Sequence, residues 1–143
     1  MEIAEKILVL KSRETKTLIE KLHEYEDALE KAMIAEADFK NANHSYLGSG
    51  DCQEVKRILA ELAAQAPETN GADKKMTVAG RENWLHKQRT ENTELSDAIV
   101  KQRQVAFLVD DHQIKVELAR RRLEGIRAVL ALTTQQIAFL ASG

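Results

Sequence analysis

One cysteine, one proline and six aromatic side chains in 143 residues leave several protein classes without their raw materials. Cys52 cannot close an internal disulfide, and no CxxC or Cys/His metal spacing occurs, so a disulfide-stapled or zinc-ribbon scaffold is excluded. A reducing, cytoplasmic setting is expected. Sheet proteins draw on aromatic and β-branched residues, whereas here aromatics make up 4% and Ala, Leu, Glu, Lys and Arg dominate. The common fingerprints of catalysis and nucleotide binding are missing as well: there is no GxSxG, P-loop, strand-linked GxGxxG or HExxH. No enzymatic activity and no cofactor are therefore expected. The apolar run Ile7–Leu10 in MEIAEKILVLKSRE is too short for a signal core or a membrane span, so no membrane partner is expected either.

What is present is a long heptad repeat. Alternating steps of three and four give Leu95, Ala98, Gln102, Val105, Val109, His112, Val116, Ala119, Leu123, Ile126, Leu130, Thr133, Ile137 and Leu140, of which eleven are apolar. A period of 3.5 keeps one stripe turned toward the same neighbour, which marks a long helix packed along a seam. At about 1.5 Å per residue that helix would run roughly 70 Å, too long for a compact domain of this size. Leu118, Gly125, Leu132 and Phe139 recur every seven residues beside the seam, with Val129 next to them. An apolar face this wide needs a further neighbour, and these five residues are the expected oligomer interface. Gly125 costs about 1 kcal/mol relative to alanine inside a helix, which suggests that another backbone approaches closely there.

Earlier in the chain the pattern predicts a helix over about 2–46, on Ala4, Leu8, Leu18, Leu22, Tyr25, Leu29, Ala32, Phe39 and Tyr46. Lys11, Thr15, Glu36 and Asn43 also fall on that seam and weaken it. From Ala28 a second register, Ala28, Ala32, Ala35, Phe39, Ala42 and Tyr46, reads better, so the contact face is expected to drift. Gly48 and Gly50 should end the helix with positive φ, and Asp51 with Glu54 has capping-box spacing. A short helix over about 51–66 then carries Val55, Ile58, Leu59 and Leu62. Residues 67–76 read as an exposed connection with a turn at Asn70-Gly71, and Thr77 as the N-cap of a helix over about 77–91. The long helix occupies about 94–141. The fold expected is all-α, a single domain: an elongated antiparallel hairpin or coiled-coil-like bundle of two long helices joined by two short ones.

Candidate chemistry is sparse. Glu20, His23 and Glu24 share a face with Glu-x-x-His spacing, but a di-metal bundle needs two such pairs, and a solvated face is the reading preferred to a metal-binding bundle. Asp110, Asp111 and His112 diverge by about 100° per residue and cannot converge on one ligand. His112 and Gln102 read instead as polar seam residues that set register or partner number. Cys52 near a helix start reads as a partly buried structural residue. Lys115, Arg120, Arg121, Arg122 and Arg127 are the candidate nucleic-acid contacts, alongside Lys101 and Arg103. Acidic residues interleave with them at i,i+4, notably Asp97 with Lys101, Asp111 with Lys115 and Glu117 with Arg121, which favours a solvated face. The chain carries −5 over residues 1–71 and +3 over 72–143, an asymmetry suited to pairing of the halves or of chains.

The stretch Lys75-Met76-Thr77-Val78-Ala79-Gly80-Arg81-Glu82-Asn83-Trp84-Leu85, the break at Glu91–Leu95 and the ending Leu132-Thr-Thr-Gln-Gln-Ile-Ala-Phe-Leu140 resemble small helical proteins encoded by phages and prophages. The resemblance covers residues 74–141 and implies an accessory role, with no catalytic or binding residues to carry over. Together these features point to a non-enzymatic interaction or scaffold protein that self-associates, with nucleic-acid binding through the basic face of the last helix as the alternative.

Overall fold

A computed structural model describes residues 2–68 and 75–142. It contains four α-helices and no strand among the described residues: α1 (Glu2–Ala42), α2 (Gln53–Gln65), α3 (Val78–Glu91) and α4 (Thr93–Ser142), with a 3-10 turn at His44–Tyr46. The turn expected at Asn70-Gly71 lies outside the described residues. The chain divides into two units, one of residues 1–38 and 111–143 and the other of residues 39–110. Each contains part of α1 and part of α4.

In the second unit α1 stops at Ala42, four residues before its expected end. The Asn43 amide side chain donates to the Phe39 carbonyl at 3.0 Å and competes with continued helix, so the chain tightens into the 3-10 turn. Gly48 (φ 110°) and Gly50 (φ 70°) then take left-handed conformations that favour glycine. The capping box does not form. Cys52 occupies the N-cap of α2 and its side chain makes no cap bond, because the helix starts one residue late and Asp51 is taken by Arg89. Thr77 does cap α3, its hydroxyl accepting from the Gly80 amide at 3.0 Å. Asn92 ends α3 and accepts from the Leu95 amide at 3.0 Å, so one residue closes one helix and starts the next.

The core of this unit gathers Cys52, Val55, Ile58 and Leu62 from the α2 segment with Leu95 and Ala98 of α4. Trp84 and Leu85 of α3, Tyr46 and Leu59 pack around it. Val55 and Leu95 are fully enclosed, at 0% exposure. Burying side chains of this size stabilises by about 1.5–3 kcal/mol each.

The first unit is thinner. Its buried side chains among the described residues are Val116, Leu123 and Thr133, all on α4, and α1 has none. Every α4 seam position from Val116 to Leu140 is nevertheless buried or half-buried. On α1 the half-buried positions run Ala4, Leu8, Lys11, Thr15, Leu18, Leu22, Tyr25, Leu29, Ala32 and Glu36. The expected drift is absent: Ala28, Ala35 and, in the second unit, Ala42 are exposed, while Glu36 and Asn43 keep the original register. Turning the alanines inward would bury only methyl groups at the cost of Leu29, whose larger apolar area sets the rotation. Polar members are accommodated locally, since the Thr15 and Thr133 hydroxyls each donate to the carbonyl four residues earlier at 2.9 Å.

Two substitutions distinguish core from surface. Leu95→Ala should lower the unfolding free energy by about 2–5 kcal/mol in urea titration. Ala35→Gln should leave it within about 0.5 kcal/mol, which a drifting contact face would not permit.

Candidate interaction surface

The polar side chains with the most developed partners lie in the second unit, and their work is structural. Gln102, read from the sequence as a polar seam residue, is half-buried at that position and holds the glycine loop. Its amide nitrogen donates to the Gly50 carbonyl at 2.5 Å, and its oxygen accepts from the Cys52 amide at 3.4 Å. Arg89 binds Asp51 with two parallel bonds of 3.0 and 2.8 Å, fastening α3 to the start of α2. The Arg57 guanidinium gathers Glu54, Glu61 at 2.6 Å and Glu94 at 3.5 Å, tying α2 to α4. Lys101, expected beside Asp97, lies 4.6 Å from the centre of the Tyr46 ring. Cys52 is a buried free thiol within the core.

The sequence candidates for chemistry do not assemble. Glu20, His23 and Glu24 are all exposed, with His23 Nδ1 3.9 Å from Glu26. Among the described residues no group of three or more His, Cys, Asp or Glu side chains is placed to hold a metal. Asp110 is exposed, Asp111 pairs with Lys115 at 3.0 Å, and His112 is half-buried on the seam. The basic cluster is largely matched by carboxylates: Arg121 meets Glu117 at 3.1 Å and Arg127 reaches Glu26 at 4.0 Å. Arg120 and Arg122 point away from each other along α4.

A different surface carries the unexplained apolar area. Leu118 (52%), Val129 (49%), Leu132 (55%) and Phe139 (77%) are exposed on α4 within the first unit. Gly125 is exposed among them, and a Cβ built there meets nothing within 4 Å. The close approach expected of Gly125 is thus not made by its own chain. The stripe continues onto α1, because Ile7 shares a hollow with Leu132 and Phe139, and Leu10 shares another with Val129 and Thr133. A third hollow of about 200 Å³ is lined by Tyr25, Ala28, Lys115, Leu118, Ala119 and Arg122. Residues 128–142 carry no charged side chain at all, a feature of the sequence that identifies this end of α4 as the apolar one. No helix among the described residues is long and apolar enough to cross a membrane. Comparison with family models, curated proteins and solved structures finds no match to this chain.

The Asp51–Arg89 pair makes a pH-dependent contribution. The Arg89 hydrogen bond, with its charge, holds the Asp51 carboxyl below the usual 3.8 against the opposing effect of burial. A depressed carboxylate pKa stabilises the fold above the unfolded value and loses that effect as pH falls through the folded value. Asp51→Asn should therefore cost about 1 kcal/mol or less near neutral pH, since both side chains are about one-third exposed. In urea unfolding the gap from wild type should shrink as pH falls below 3.8.

Proposed function

We propose that the protein is a non-enzymatic helical interaction module that self-associates through its first unit. In this reading α1 and the C-terminal part of α4 form an antiparallel coiled-coil hairpin. The order of shared hollows supports that direction, with Ile7 beside Phe139, Leu10 beside Val129, and Tyr25 beside Lys115 and Ala119. We propose for it a scaffold or accessory role, of the kind the resemblance to phage and prophage helical proteins implies.

The observation that carries the reading is an imbalance within the first unit. Three side chains are buried there among the described residues, yet Ile3, Val9, Leu10, Leu118, Val129, Leu132 and Phe139 are each about half exposed or more. Leu10 and Ile7 line hollows in common with the α4 stripe, and exposed apolar surface of this extent marks an association site. The second unit differs, with a closed core cluster and ion pairs linking its helices. Nucleic-acid binding is the weaker alternative, because Lys115, Arg121 and Arg127 already face carboxylates and an unpaired cationic stripe is what phosphate contact requires.

Multi-angle light scattering at micromolar concentration should give at least twice the chain mass of 16.1 kDa. A strict monomer overturns the proposal. Fluorescence anisotropy with single- and double-stranded oligonucleotides at about 50 mM salt should show no binding, whereas binding abolished at about 200 mM would favour the nucleic-acid alternative.

A further inference from the structure

We propose that the occupant of the exposed α4 stripe is a second copy docked antiparallel, the Phe139 ring of each copy filling the hollow formed by Tyr25, Ala28, Lys115, Leu118, Ala119 and Arg122 of the other. This rests on the self-association proposed above and assigns its seat. The hollow, open to solvent on one side, measures about 200 Å³. Its four α4 residues, Lys115, Leu118, Ala119 and Arg122, are spaced i, i+3, i+4 and i+7, the arrangement that receives one knob from a facing helix. Tyr25, Ala28, Leu118 and Ala119 supply an apolar floor, and Arg122 at the rim suits the face of an aromatic ring, while Lys115 there is paired with Asp111. Phe139, at 77% exposure, is the most exposed aromatic or aliphatic side chain on the stripe.

The register is then determined. Seating residue 139 between residues 118 and 119 of an antiparallel partner sets Leu132 against Gly125, with the two-fold axis beside Ala128 and Val129. Gly125 is the one stripe position without a side chain, and the space where its Cβ would lie is empty in its own chain. One register therefore places a large knob at each gap. Charge selects the same direction. An antiparallel partner lays its uncharged residues 128–142 along the basic stretch from Lys115 to Arg127, whereas a parallel partner would stack Lys115 on Lys115 and Arg122 on Arg122. The face is also large enough: residues 118–139 extend about 33 Å and two helices span about 20 Å. That approaches the about 800 Å² per partner of a stable interface.

The test is oxidation of the full chain carrying Gly125→Cys with Leu132→Cys, keeping the buried Cys52. The two new thiols lie about 10 Å apart along one helix, beyond disulfide reach within a chain. A covalent dimer is expected from the double variant and little from either single variant. Efficient cross-linking of the single variants would establish a parallel partner and overturn the proposal. Phe139→Ala should raise the dimer dissociation constant at least tenfold with unchanged helicity by circular dichroism, and Phe139→Tyr should restore most of the affinity. Gly125→Leu should weaken the dimer comparably without lowering the thermal stability of the monomer. An oligomer indifferent to Phe139→Ala and Gly125→Leu overturns this seat but leaves self-association standing; a wild-type monomer removes both.

Discussion

The need to keep one heptad stripe dry along the fifty residues of α4 governs both units. A 3.5-residue period cannot be satisfied by a single local contact, so each length of the stripe requires its own cover. In the second unit the cover comes from α2, with α3 behind it, and the result is a closed cluster around Val55 and Leu95. In the first unit the hollows along the stripe are shared with α1 alone. A single neighbour shields one stripe of a helix, and the C-terminal half of α4 has two.

The two units consequently differ in how they are held together. The second combines apolar burial with specific polar fasteners, namely the Gln102 grip on the glycine loop, the Arg89–Asp51 fork and the Arg57 cluster. These are directional contacts, and they select one arrangement of short helices that burial alone would leave loosely specified. The first unit has few buried side chains among the described residues, and the Thr15 and Thr133 hydroxyls on its seam are satisfied within their own helices. Thr15 and Thr133 need no partner from across the seam. Such a surface presents exposed apolar area with little built-in chemistry.

Much of this was legible in the residue order. All fourteen α4 seam positions are buried or half-buried, because heptad spacing dictates a common face whatever covers it. The Thr77 cap, the left-handed glycines and the break at Asn92 were readable because each depends on local backbone chemistry. The exposed stripe Leu118, Gly125, Val129, Leu132 and Phe139 was visible as surplus apolar spacing. The hollow beside Leu118 was not, since it needs Tyr25 and Ala28 brought there from ninety residues away in sequence.

The remainder was decided by tertiary contact. Asp51 had the local option of capping α2, and Arg89 from another helix outcompeted it with two charge-assisted bonds. Gln102 had the spacing of a register residue, and the loop at Gly48–Gly50 placed carbonyls within its reach. The alanine register of α1 read better from Ala28 onward, and the larger area of Leu29 turned it outward. Periodicity and caps are properties of a few neighbouring residues and survive in any fold that keeps the helices. Choices between competing partners depend on which distant group arrives, and only the assembled chain supplies that group.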